Sequence, residues 1–185
     1  MKLLAISGSI RAGSYNRALL KAMSELSSSG TTVTVYDGLK DIPIYDPNIA
    51  DNAIPAPVAD LMLKIRASDG VIISTAEYIY GVPGILKNVL DWLVSSDVLI
   101  LKPVAVSSIS TSSLGGVRAH GALILILHTM NASVVVDGSI HVPCVYEKFD
   151  DNRKLTDELT KQAIKVSLAA LEQAVNIAAS QQASA

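Results

Sequence analysis

The run Gly8-Ser9-Ile10-Arg11-Ala12-Gly13-Ser14-Tyr15-Asn16 stands between an apolar stretch, Leu3-Leu4-Ala5-Ile6, and Arg17-Ala18-Leu19-Leu20-Lys21-Ala22, which has helical spacing. A Gly/Ser-rich turn from strand to helix suits a phosphate, because a helix N-terminus offers free N–H groups and a partial positive charge. Ser9, Ser14 and Asn16 are short hydrogen-bonding residues at that start, and Arg11 adds a planar fork of donors suited to a phosphate dianion. A simpler reading also stands, in which Ser14 and Asn16 cap the helix and Arg11 is a solvated side chain. Two common phosphate motifs are absent. No Gly-Lys-Ser/Thr closes the turn, and Ser9 between Gly8 and Ile10 breaks G-x-G-x-x-G.

Two further loops have the composition of ligand-facing turns. Thr75-Ala76-Glu77-Tyr78-Ile79-Tyr80-Gly81-Val82-Pro83-Gly84 leads into a helical stretch, with Pro83 placed for a first turn and Trp92 expected in the core. Ser110-Thr111-Ser112-Ser113-Leu114-Gly115-Gly116 precedes another helix, and its paired glycines either admit a close ligand or simply start that helix. Other chemistries fit poorly. His120, His128 and His141 have no metal-ligand spacing with acids or thiols. Without a G-x-S-x-G elbow, Ser110 does not read as an acyl-transfer nucleophile. The single Cys144 forms neither a disulfide nor a CxxC motif, and reads as a buried or loop thiol.

Those loops need elements to hold them. Strand-length apolar or β-branched runs occur at 3–7, 32–36, 71–75, 104–109 and 134–136, with helical spacing over 16–28, 57–66, 83–94, 116–130 and 156–179. Such alternation predicts an α/β fold: a flavodoxin-like doubly wound parallel sheet of five strands in the order 2-1-3-4-5, with the ligand beyond the C-terminal strand ends. At 185 residues the chain suits a single domain spanning 1–185. A formal net charge of −2 with scattered basic residues speaks against nucleic acid. Met1-Lys2 runs straight into a strand and apolar runs fall short of the roughly 20 residues of a membrane span, so a cytoplasmic location without a membrane partner is expected.

The three loops together resemble the NADPH-dependent FMN reductase family of flavodoxin-like flavoproteins, which includes quinone, azo-compound and chromate reductases. The first family motif, G-S-x-R-x-x-S-x-N, matches at Gly8, Ser9, Arg11, Ser14 and Asn16. The second matches at Glu77, Tyr78, Pro83, Gly84, Leu86, Lys87, Asn88, Asp91 and Trp92. The third, S-x-G-x-x-G-G, matches at Ser110, Gly115 and Gly116. The resemblance covers nearly the whole chain and implies bound FMN, with NADPH or NADH as co-substrate.

It implies that Ser9, Arg11, Ser14, Tyr15 and Asn16 surround the FMN phosphate. Ala76, Glu77, Tyr78 and Ile79 would border the isoalloxazine ring, and Ser110, Thr111, Ser112, Gly115 and Gly116 its pyrimidine end. Glu77 is equally readable as a surface carboxylate or an oligomer salt-bridge partner. Three positions depart from the pattern: Ala76 replaces the usual proline, Ile79 the usual asparagine and Ser112 the first usual glycine. A positive φ at Ser112 would strain it. Hydride transfer from the nicotinamide needs no protein acid or base, so no catalytic residue is expected, and the acceptor is a quinone, chromate, an azo compound, a ferric complex or free flavin in a ping-pong cycle. Family habit implies a homodimer or a dimer of dimers, and the nearly all-apolar Gly121–Leu127 helix should be buried on more than one side. The rival readings are a flavodoxin-type electron carrier, which Arg11 and the near-neutral charge oppose, and a flavin-fold binding module that has lost turnover.

Overall fold

A computed structural model describes residues 1–49 and 53–183. Strands β1 (Lys2–Ser7), β2 (Thr32–Tyr36), β3 (Gly70–Thr75) and β4 (Pro103–Ile109) alternate with helices α1 (Tyr15–Leu26), α2 (Ala56–Arg66), α3 (Gly84–Leu93) and α4 (Val117–Thr129). Short strands β5 (Ser133–Val134) and β6 (Ile140–Val142) follow, then α5 (Glu158–Ala183). The sheet order is β2-β1-β3-β4-β5, and every strand pairing is parallel. This is the expected flavodoxin-like order.

Why these runs become central strands is visible in their burial. β3 and β4 are buried at every position, the signature of strands covered on both faces. Alternate side chains then serve two cores, as a period of two requires. Leu4, Ile6, Val71, Ile73, Val104 and Val106 pack with Leu61, Leu86, Leu90 and Leu123 of α2, α3 and α4. Leu3, Ala5, Ile72 and Ala105 pack with Leu19 and Met23 of α1 and with Ile164, Leu168 and Leu171 of α5.

The fifth strand position departs from the sequence expectation. It is filled by two pieces, β5 and β6, both pairing with β4 and separated by a 3-10 turn at Val136–Gly138. The side chain of Ser139 fills the break: its hydroxyl accepts from Val106 N (3.2 Å) and donates to Val135 O (3.1 Å). Within one chain, helix α4 is covered on one side. It buries Ala119, His120, Leu123 and Leu127 on one side and leaves Leu125 70% exposed. Among the described residues, no helix is long and apolar enough to cross a membrane.

Register brings the three loops together. Ser7 lies opposite Ser74, Ser74 opposite Ser107 and Thr75 opposite Ser108, so β1, β3 and β4 end side by side. Gly8 N prolongs the pairing by donating to Ser74 O (2.7 Å). A Cβ at Gly8 would lie 2.9 Å from Leu86 Cδ2 and 3.0 Å from Ser74 O, so only glycine lets the chain leave β1 this close to α3.

Candidate functional site

Beyond those strand ends lies a cleft of about 320 Å³. Its walls include Ser9, Arg11, Ser14, Tyr15 and Asn16 from the first loop, Ala76, Glu77 and Tyr78 from the second, and Ser110 and Thr111 from the third. Ile79, Ser112, Gly115 and Gly116 do not line it. They lie in the same loops and shape them. Gly13, Ile109, Val145, Tyr146 and Arg153 also reach the cleft, and sequence reasoning missed them.

The first loop is held by its own serines. Ser7 Oγ donates to Ser9 O (3.0 Å), Arg11 N donates to Ser9 Oγ (3.4 Å), and Ser14 N donates to Arg11 O (3.1 Å). Ser14 occupies the N-cap position of α1 in extended backbone, yet its side chain makes no capping bond. First-turn amides have no acceptor within their own helix, so those of α1 remain available to an anion. Asn16 is buried and has a different task from Ser14. With the amide turned so that its nitrogen faces the carbonyls, Nδ2 donates to Thr75 O (3.0 Å) and Ser74 Oγ (2.8 Å). It therefore ties the first turn of α1 to the end of β3.

In the second loop, Tyr78 and Gly81 exchange backbone hydrogen bonds of 3.1 Å each way. The two residues between them, Ile79 (φ 50°) and Tyr80 (φ 59°), are both left-handed, which defines a type I′ turn. That turn favours asparagine or glycine at its first central position, whereas here a β-branched residue stands there, 99% exposed. The turn is docked against α4 twice. The Arg118 guanidinium lies 4.3 Å from the centre of the Tyr80 ring, and Glu77 Oε2 accepts from Arg118 N (2.9 Å) and Ala119 N (3.0 Å). Gly116, at the N-cap of α4 with φ 77°, has no side chain to serve those amides, and Glu77 supplies the acceptor instead. The rest of the second motif is structural. Trp92 Nε1 and Asn88 Nδ2 donate to Pro43 O (2.8 and 2.9 Å), and Lys87 pairs with Asp91.

In the third loop, Ser112 stays outside the left-handed region, so the strain expected there does not arise. Its carbonyl accepts from Cys144 N (3.1 Å), and Ser110 O accepts from Val145 N (3.1 Å). This strap carries Val145 and Tyr146 to the cleft and leaves the Cys144 thiol half-buried within it. Below the loop, Ser108 Oγ donates to Gly115 O (2.7 Å) and must therefore accept from His141 Nδ1 (2.9 Å), which assigns the proton to that nitrogen. The His141 ring lies 4.0 Å from that of His120, whose burial, with the nearby His141, lowers its pKa to about 4.

The donor set suits a phosphorylated, planar ligand. Arg11 and Arg153 both line the cleft, and neither has a carboxylate partner among the described residues. Glu77, the one acid among the described residues of the cleft wall, is committed to the amides of α4. Tyr78 and Tyr146 supply aromatic surface, and both are exposed.

Comparison with known proteins agrees with this chemistry. A model of the NADPH-dependent FMN reductase family matches residues 1–147. A quinone reductase of Escherichia coli (strain K12) is 35% identical over 138 residues, 73% of each chain. An NAD(P)H-dependent FMN reductase of Pseudomonas aeruginosa is 30% identical over 174 residues, 93% of this chain and 94% of that one. Among solved structures, the flavoenzyme NAD(P)H:(acceptor) oxidoreductase of Paracoccus denitrificans superposes with a TM-score of 0.84 at 24% identity, covering 95% of this chain and 97% of the other. That last likeness speaks to the fold.

Proposed function

The chain belongs to the NADPH-dependent FMN reductase family, and from that premise we propose that the cleft at the ends of β1, β3 and β4 holds FMN, with its phosphate at the start of α1. It is an oxidoreductase of the NAD(P)H-dependent FMN reductase and quinone reductase type, with FMN as cofactor and NAD(P)H as co-substrate. The observation that carries the placement is the unpaired Arg11 beside the open first turn of α1. A guanidinium fork and uncapped amides make a dianion site, and no acid among the described residues fills it.

Each loop then has a part. Ser9, Arg11 and Ser14 bind the phosphate, while Asn16 keeps α1 seated on β3 so that its amides stay aimed. Glu77 fixes the second loop against α4, presenting Ala76 and Tyr78 to one edge of the ring. Ser110 and Thr111 serve the pyrimidine end, and Tyr15 walls the phosphate side. Ile79, Ser112, Gly115 and Gly116 contribute the path of the backbone rather than side chains. FMN, when bound, supplies two-electron chemistry, taking a hydride from the nicotinamide and passing electrons to the acceptor. No side chain in the cleft is required as acid or base, and the protein's contribution is positioning and electrostatics.

The nicotinamide nucleotide and the acceptor use the same open face in turn, which gives ping-pong kinetics. Quinones are the first acceptor class to test, ahead of chromate, azo compounds, ferric complexes and free flavin, since quinone reductase is what several relatives are called, among them those of Escherichia coli (strain K12) and Pseudomonas putida. The chain acts as a single flavin-binding unit. It pairs with a second copy through the apolar surface left on α4, where Val117 and Leu125 are exposed.

The test is the absorbance of the purified protein and its change when NADPH is added without oxygen. A flavin band that bleaches within seconds, followed by parallel double-reciprocal plots with a quinone, supports the reading. A band that NADPH bleaches only slowly points instead to an electron carrier, and a protein that takes up no FMN ends the proposal.

A further inference from the structure

Arg153 reaches the cleft from beyond residue 147, where the family match stops. The segment Phe149-Asp150-Asp151-Asn152-Arg153-Lys154-Leu155 folds back on itself, with Phe149 bridged to Leu155. Arg153 N donates to Asp150 O (2.9 Å), Asp150 N donates to Lys154 O (3.0 Å), and Lys154 N donates to Asp150 Oδ1 (2.8 Å). The hairpin so closed sets Arg153 at φ 63°, a left-handed conformation that glycine or asparagine adopts at lower cost.

That conformation aims the guanidinium. Its central carbon lies 3.9 Å from the centre of the Tyr15 ring, at the first position of α1, and Tyr15 is braced edge-on by Tyr146 and Phe149. A guanidinium stacked by its face keeps its in-plane N–H donors available. Arg153 and Arg11 share one cleft, and neither has a carboxylate partner among the described residues. Two unpaired like charges in one cleft repel unless an anion joins them. Arg153 also borders a wider groove of about 690 Å³ along α1, lined as well by Lys154, where the two α1 cations have carboxylate partners, Arg17 in Asp37 and Lys21 in Glu25.

We propose that Arg153 is a second guanidinium for the FMN phosphate and that it makes the site select the phosphomonoester dianion over flavins that lack it. The inference rests on the placement of FMN argued above. A phosphomonoester carries close to two negative charges at neutral pH. Two guanidinium forks and the first turn of α1 offer donors to all three of its terminal oxygens.

The experiment titrates the flavin-free full chain with FMN and with riboflavin, following flavin fluorescence, for wild type, Arg153→Gly and Arg153→Lys. Arg153→Gly should weaken FMN about 10- to 100-fold and leave riboflavin within about twofold. Because glycine suits the left-handed backbone, the melting temperature of the flavin-free variant should stay within about 3 °C of wild type. Arg153→Lys, which keeps the charge without the fork, should fall between the two. Equal FMN affinity in Arg153→Gly and wild type overturns the proposal. Equal weakening of FMN and riboflavin also overturns it, since the residue then acts by packing Tyr15. An unchanged FMN affinity with a raised KM for NADPH but not NADH overturns it too, assigning the residue to the nucleotide 2′-phosphate. A wild type that binds no FMN is a separate failure, which removes the placement of FMN itself.

Discussion

At Glu77 the carboxylate accepts two amides at the start of α4, so the residue carries the capping that Gly116 cannot provide. Glu77→Ala should cost about 1–2 kcal/mol of stability, and Glu77→Gln, which keeps an acceptor but loses the charge at the helix N-terminus, about 0.5 kcal/mol. Urea unfolding of the flavin-free protein checks this, and an alanine variant as stable as wild type would remove the capping role. The partner amides lie 41 and 42 residues along the chain. For that reason the sequence offered a ring contact, a surface carboxylate or an oligomer salt-bridge partner for Glu77, and not a helix cap. Asn16 shows the same limit. Its type and place in the motif were legible, but its buried amide serves Ser74 and Thr75 across the sheet, a contact that exists only once β1 and β3 are paired. Arg11 and Ser14 were more readable because a helix start is a local feature. Arg153 was hidden, since nothing in Asp150-Asp151-Asn152-Arg153 announces that its turn folds over the start of α1.

The elements show where local signals suffice. Strands β1, β3 and β4 were readable because parallel strands buried on both faces are written as near-continuous apolar runs, and the edge strand β2 because its β-branched residues alternate between exposed threonine and better-covered valine. The fifth position was readable only as a run beginning near Val134, because two- and three-residue strands joined by a serine side chain leave little periodicity from which to read the break and β6. The turn between Tyr78 and Gly81 joins sequence and element most directly. The family resemblance expects asparagine at position 79, and the left-handed φ of 50° there gives the reason: asparagine tolerates that region and isoleucine does not. Ile79 is 99% exposed, so replacing it sacrifices almost no packing. Ile79→Asn should therefore stabilise the protein by about 1 kcal/mol, read as a higher urea midpoint at unchanged slope. A neutral or destabilising result would mean that the turn carries no strain at this position.

On the scale of the whole molecule, the loops of the cleft rest on a histidine pair between α4 and the sheet, and this makes stability depend on pH. His120 is buried at the side of α4 that faces the core, and its Nδ1 has no partner among the described residues. Its folded pKa is about 4, against about 6.5 in an unfolded chain, because burial disfavours the imidazolium and His141 adds to that effect. Above pH 6.5 the residue is neutral in both states and contributes nothing to the pH dependence. Between pH 6.5 and 4 the unfolded chain takes up a proton that the folded chain refuses, so stability falls as pH falls, by up to about 1.4 kcal/mol per pH unit. Below pH 4 the penalty from this group is complete. The carboxylates with lowered pKa values act lower on the scale: Asp157, held by hydrogen bonds from Thr160, stabilises the fold above the ordinary carboxylate range and loses that contribution as pH falls through its own folded pKa. The two effects therefore occupy different windows. His120→Leu, similar in size and free of the unpartnered nitrogen, should match or exceed wild type at pH 7 and should lose less stability between pH 6.5 and 4.5. Urea unfolding of both proteins across that range decides the matter, because parallel curves would show that another group titrates there, whereas curves that separate as pH falls, with wild type losing more, assign the acid sensitivity of the α4 side of the cleft to this one buried imidazole.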